Sequence, residues 1–204
     1  DRALLPGFID AHGHFSSMAR AADLVDLSSP PVGVVEEIDD IVRLLRLSIE
    51  NERIPVGQQV DGFGYDDSLL EEGRHPTRSD LDRASTEHPI VIRHVSGHLL
   101  AANSLALSSA GVTAATPDPA GGVVRRNLDG SPNGVMEETA MGLLPAGTGM
   151  TDERFAELRR EALTLYASYG ITTIQDSNLS LEYIDLMRKE SADQSYPIDL
   201  VAYA

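Results

Sequence analysis

The chain has 204 residues with 42% hydrophobic content, enough to bury the core of one large domain or two small ones. It carries 16 basic and 32 acidic residues, a net charge of −16, which repels phosphate backbones and argues against nucleic-acid binding. It has no cysteine, which excludes disulfides and thiolate zinc sites, and it has no apolar run near the roughly 20 residues of a membrane span. No basic and then apolar signal segment is read at the start, so a cytoplasmic location is expected.

In chain order, residues 4–10 read as a short buried strand that runs into Asp10 and then His12-Gly13-His14. Residues i and i+2 of an extended chain point the same way, so two imidazoles at a strand end can share one divalent cation. Two surface histidines in a turn are the plain alternative. Residues 36–50 read as an amphipathic helix, with Ile38, Ile41, Val42, Leu45 and Ile49 at helical spacing and acids in the first turn.

Residues 58–76 read as a strand end and an irregular loop rich in Gly and Asp. Its Asp66 and Asp67 are either shapers of a substrate pocket or solvated loop residues. His75 and His88 each precede proline and read as loop residues. HPIVIRHV, 88–95, is the clearest buried strand. His94 and His98 are four apart but straddle a strand end and a glycine, which is poor geometry for a helical metal pair. Leu99 to Ala110 reads as a short helix closed by Gly111.

GGVVRRNLDGSPNG signals a hairpin turning at Asp129-Gly130, with the second strand opening at Val135. Residues 151–169 form the strongest predicted helix, capped by Thr151 and stopped by Gly170. A strand at 171–176, a helix at 180–190 and a strand at 198–203 follow. This alternation predicts parallel βαβ units and an α/β fold. Asp176 ends a parallel strand, where site residues gather.

LPGFIDAHGH, GFGYDD, GRHPTRSDLD, SGHLLAANSLALSSAGV, TPDPAGGVVRRNLDGSPNGVMEETA and GITTIQD occur in series across nearly the whole chain. Together they resemble the amidohydrolase superfamily, in its YtcJ-like, amidohydrolase-3 branch of metal-dependent hydrolases. The resemblance implies part of a (β/α)₈ TIM barrel with its metal centre at the C-terminal ends of the strands. It implies cleavage of a C–N bond in a small amide by a metal-activated water.

On that resemblance His12 and His14 are metal ligands, and Glu138 stands where the family usually carries a glutamate. Glu138 pairing with Arg125 or Arg126 is the plain alternative. His98 and Asn103 fall near the family's site, with Asp66 and Asp176 as further substrate-side candidates. His98 capping the next helix is the alternative for that residue. Lys189, the only lysine, reads as a solvated helix residue and is unsuited to bridging metals.

A complete barrel takes roughly 250 residues. The chain is therefore expected to be an N-terminal fragment, with 58–150 as an inserted α+β subdomain and the catalytic residues downstream of Ala204. The metal, zinc by expectation, would be absent or weakly held by the isolated 204 residues. A partial barrel with open sheet edges is expected to form a homodimer or larger self-association. A non-catalytic, metal-free folded piece is the second reading.

Overall fold

A computed structural model describes residues 5–145, 147, 150–177, 179–193 and 196–204. Leu4, the first residue of the expected opening strand, lies outside them. The described chain runs β1 (Phe8–Asp10), α1 (Phe15–Ala21), β2 (Val25–Asp26), α2 (Ile38–Glu52), β3 (Val60–Tyr65), α3 (Arg78–Asp82), β4 (Ile90–His94) and β5 (Leu99–Ala102). It continues through α4 (Ser104–Ser109), β6 (Gly122–Arg126), β7 (Pro132–Glu138), a 3-10 turn (Thr139–Leu143), α5 (Asp152–Ser168), β8 (Ile171–Asp176), α6 (Leu181–Asp193) and β9 (Asp199–Ala202).

The chain folds as two compact units. One comprises Asp1–Asp23 and Met150–Ala204, the other Leu24–Gly149.

In the first unit, β8 is the middle of a three-stranded sheet ordered β1-β8-β9, and both pairings are parallel. The β8–α6–β9 passage is the expected βαβ unit. Thr151 Oγ1 caps α5 by accepting the Arg154 N–H at 3.1 Å. Phe15 from α1, Leu163 from α5, Ile174 and Ile198 form the core. The opening strand was expected to be buried. Instead Phe8 is 60% and Ile9 67% exposed, because β1 is an edge strand.

The second unit holds a six-stranded sheet ordered β2-β3-β4-β5-β7-β6. The β2–β3 and β3–β4 pairings are parallel, and β4–β5, β5–β7 and β6–β7 are antiparallel. Both faces of β4 are buried. Ile90 and Ile92 pack in one cluster with Leu45 of α2 and Val60, while Val91 packs in another with Leu100, Val124 and Met136. Period-two alternation thus explains the continuous apolar run Ile90-Val91-Ile92. Helix α2, which precedes the expected 58–150 segment, belongs to this unit through Ile38, Ile41 and Leu45.

Two elements differ from the sequence reading. Leu99–Ala102 is a strand, and only Ser104–Ser109 is helical. A tight turn at Ser96-Gly97, with Gly97 at φ +76°, folds the chain back so that β5 pairs with β4 and β7. Cross-strand pairing therefore overrides the helix-compatible composition of LLAA. Val60–Tyr65 is a full six-residue strand where a strand end and loop were expected. Gly62 and Gly64 weaken its signal, yet packing needs them: a Cβ on Gly62 would meet Leu27 Cδ1 at 2.6 Å, and Gly64 adopts φ +105°.

Candidate functional site

In the first unit, β1 and β8 run in parallel and deliver their C-terminal ends side by side. Asp10 ends β1, and its Oδ1 accepts the His12 N–H at 3.3 Å. A Cβ on Gly13 would stand 2.8 Å from Asp10 Oδ2 and 3.1 Å from the Gln175 carbonyl, so the two strand ends approach closely at this glycine. His14 then forms an isolated antiparallel bridge with Asp176. The His12 and His14 rings meet edge to face at 5.8 Å between centroids, both exposed. His14 Nδ1 lies 3.3 Å from Ser177 Oγ. The two imidazoles share one surface at a parallel strand end, as the His-x-His spacing predicts.

Asp176 is buried, and its position is fixed by a hydrogen-bonded chain. Its Oδ2 accepts the Ser16 N–H at 3.1 Å and the Ser16 hydroxyl. Ser16 Oγ lies 2.9 Å from the Tyr183 hydroxyl, which accepts from Arg159 Nη1 at 3.3 Å. Arg159 in turn pairs with Glu190 and lies over the Phe155 ring at 4.5 Å. Burial raises the Asp176 carboxyl above its ordinary value, against the opposing pull of the Ser16 hydrogen bonds. Asp176 thus holds the backbone that carries His14. Ser16 is a member of this site that the sequence reading missed; nothing in the spacing of Phe15-Ser16 signals it.

Glu138 and His98 lie in the second unit, so neither unit by itself brings His12, His14 and Glu138 together. His98 Nδ1 is 3.1 Å from the Glu138 carboxylate. Arg125 pairs with Glu137 instead of Glu138. Glu138 has φ +50° and ψ −126°, a region that non-glycine residues seldom occupy and that recurs at functional sites.

Asn103 is fully buried and caps α4. Its Oδ1 accepts from Ile90 N at 3.0 Å and Ala106 N at 2.9 Å. Its Nδ2 donates to the carbonyls of Ser85 at 3.0 Å and His88 at 2.9 Å. Every polar atom of that side chain is therefore committed to backbone partners. His88 is buried between Ser85 Oγ and the Ile54 carbonyl. Lys189 is an exposed helix residue.

Asp66 and Asp67 follow β3, and His94 ends the adjacent parallel β4, with Tyr65 and His94 in register. Parallel pairing therefore gathers three residues that sequence spacing left apart. His94 Nε2 lies 3.1 Å from Asp67 Oδ1 and 3.8 Å from Asp66 Oδ1. The Ser68 hydroxyl, 2.7 Å from Asp66 Oδ1, holds the Asp66 carboxyl below its ordinary value. His75 Nδ1 lies 3.5 Å from Asp67 Oδ1, and burial lowers its imidazole pKa. Buried Tyr65 packs edge to face on both His75 and His94. No helix among the described residues is long and apolar enough to cross a membrane.

Residues 1–203 match the model of an amidohydrolase family. The chain is 34% identical to the N-substituted formamide deformylase of Arthrobacter pascens over 98% of its own length and 37% of that protein. It is 31% identical to the protein LONG AFTER FAR-RED 3 of Arabidopsis thaliana, over 86% of this chain and 29% of that one. Its fold resembles the crystal structure of an uncharacterized metal-dependent hydrolase from Pyrococcus horikoshii OT3, with a TM-score of 0.63 at 19% identity. That match covers 98% of this chain and 36% of the other. The chain thus spans 29–37% of the length of these relatives.

Proposed function

The chain belongs to the amidohydrolase family, and on that premise we propose that it forms part of a metal-dependent hydrolase acting on a C–N bond of a small amide. The carrying observation is the adjacent exposed pair His12 and His14 at the C-terminal end of β1. In a TIM barrel, the architecture we propose for the whole protein, that face of the strands holds the chemistry. The 24–149 unit is then an insertion between barrel elements, broader than residues 58–150.

The donor chemistry fits a divalent metal, with zinc the proposed ion. Two imidazoles suit it, and the rings of His12 and His14 stand exposed side by side. When bound, such an ion lowers the pKa of a water and polarises the scissile carbonyl.

The chain's own residues supply position. Asp10 and Asp176 fix the backbone on either side of Gly13, so the two rings stay on one face. His98, held by Glu138, presents an imidazole able to donate to a substrate carbonyl. Asp66 is proposed on the substrate side of its own unit. Given the formamide-cleaving relative, an N-substituted formamide is the first substrate to try. A small-molecule substrate and a cytoplasmic location complete the reading.

The test is metal content and formamide turnover in the polypeptide that carries these residues. His12→Ala with His14→Ala is expected to abolish turnover and remove the catalytic metal. Full turnover by that double variant would sink the proposal. The exposed Leu5, Phe8 and Ile9 favour a second reading, in which the 204 residues alone are non-catalytic and self-associate.

A further inference from the structure

Asp67 and His94 have no role in the proposed reaction at His12 and His14, and with Asp66, proposed above on the substrate side, they form a cluster wholly within the 24–149 unit. We infer that these three residues form a second divalent-cation site, at the C-terminal ends of the parallel strands β3 and β4.

Two acidic side chains in a loop would not carry this. The decisive group is His94. The residue is only 9% exposed, and its Nε2 is sealed from solvent with no hydrogen-bond partner among the described residues. Its 3.1 Å approach to Asp67 Oδ1 is not aligned as a hydrogen bond. Leaving a buried polar atom unpaired costs about 1–3 kcal/mol, and ligation removes that cost.

The distances match a cation. One ligand oxygen from each aspartate and one His94 nitrogen lie within 4.8 Å of one another. Nε2 is 3.1 Å and 3.8 Å from the two carboxylate oxygens. These bracket the roughly 3.3–3.4 Å edge of a tetrahedron with bonds of about 2.0–2.1 Å.

The outer contacts fit as well. Ligation through Nε2 requires the ring proton on Nδ1, and Ser96 Oγ stands 2.8 Å from Nδ1, ready to accept it. The Ser96 N–H, which otherwise donates to Nδ1 at 3.1 Å, is on an exposed turn where water replaces that bond. Tyr65 packs on the His94 ring at 5.2 Å between centroids and limits its rotation. One imidazole with two carboxylates suits the zinc, cobalt and manganese class more than calcium or magnesium, which favour all-oxygen sets. Binding would tie the loop after β3 to the end of β4.

The test is calorimetric titration of the full chain carrying His12→Ala and His14→Ala, with Zn²⁺ and then Mn²⁺, in excess Mg²⁺ to saturate sites made of carboxylates alone. One bound equivalent and a higher melting temperature with metal are expected. Adding Asp67→Asn should weaken binding roughly hundredfold, and adding Ser96→Ala about tenfold, with unchanged circular dichroism in the metal-free proteins. Absence of binding in the double-histidine background, or affinity unmoved by Asp67→Asn, overturns the inference. Ser96→Ala removes no ligand, so it still reads the site if Asp67→Asn fails to fold. Because the first histidine pair is absent throughout, the result stands apart from the proposed catalytic centre.

Discussion

His98 Nδ1 lies 3.1 Å from the Glu138 carboxylate, while the Glu138 N–H donates to the His98 carbonyl at 2.9 Å. Two residues forty positions apart are thus tied twice, by backbone and by side chain. The tie holds Glu138 at φ +50°, where a Cβ is strained. Glu138→Gly is expected to raise stability by about 1 kcal/mol, as the relief of strain exceeds glycine's extra unfolded-state entropy. The same change should lower activity, since the carboxylate is gone. Urea melts and turnover measured on one preparation test this. A stability loss would show that Glu138 is unstrained.

Asn103 is expected to act through the fold. Asn103→Ala strands the Ile90 N–H and the buried His88 carbonyl and removes the α4 cap. The expected loss is about 3 kcal/mol. Asn103→Asp keeps the two accepted bonds but sets a buried carboxylate oxygen against the Ser85 and His88 carbonyls, so at neutral pH it should cost at least as much as alanine. Chemical denaturation of the three proteins checks the order.

Asp176 gives a pH signature. Its folded carboxyl sits above the ordinary value of 3.8, so the folded chain holds this proton more tightly than the unfolded one. The contribution is therefore fully present below the unfolded value and is lost as pH rises through the raised folded value. Ser16→Ala removes the hydroxyl that opposes the shift. The Asp176 pKa should then rise further, and stability at pH 7 should fall by about 1–2 kcal/mol, with a smaller loss at pH 4. Carbon-detected carboxyl titration by NMR reads the first effect and thermal melts the second. A loss equal at both pH values would assign Ser16 a packing role only.

The edge strand β1 exposes Phe8 and Ile9 beside Leu5. Such an edge pairs readily with another chain. The 204 residues are expected to scatter light as a dimer or larger, and Ile9→Glu should return them to the mass of one chain. A single-chain mass for the unaltered protein at high concentration would end this expectation.

Much of the organisation was legible in the residues. The apolar triplet Ile90-Val91-Ile92 announced a strand buried on both faces. Thr151 and Gly170 bracketed α5 to within about two residues, because capping is a local property of the chain. The His-x-His spacing marked two imidazoles just past a strand end, while the Asp10 contact and the bridge of His14 to Asp176 set the two rings side by side. Leu99–Ala102 misled, since LLAA suits a helix until a turn at Gly97 offers it partners on both sides. Val60–Tyr65 hid behind glycines that are required by Leu27 and Ser28, residues distant in sequence.

The sequence alone therefore determined the local elements, the parallel βαβ character of the C-terminal part and the family to which the motifs belong. Only the tertiary structure decided who stands beside whom. Asp67 meets His94 because β3 and β4 pair in parallel and end together. Ser16 meets Asp176 because β1 and β8 do the same across 160 residues. Such meetings depend on strand register, and register is set by the packing of the whole sheet, beyond the reach of any short stretch of chain.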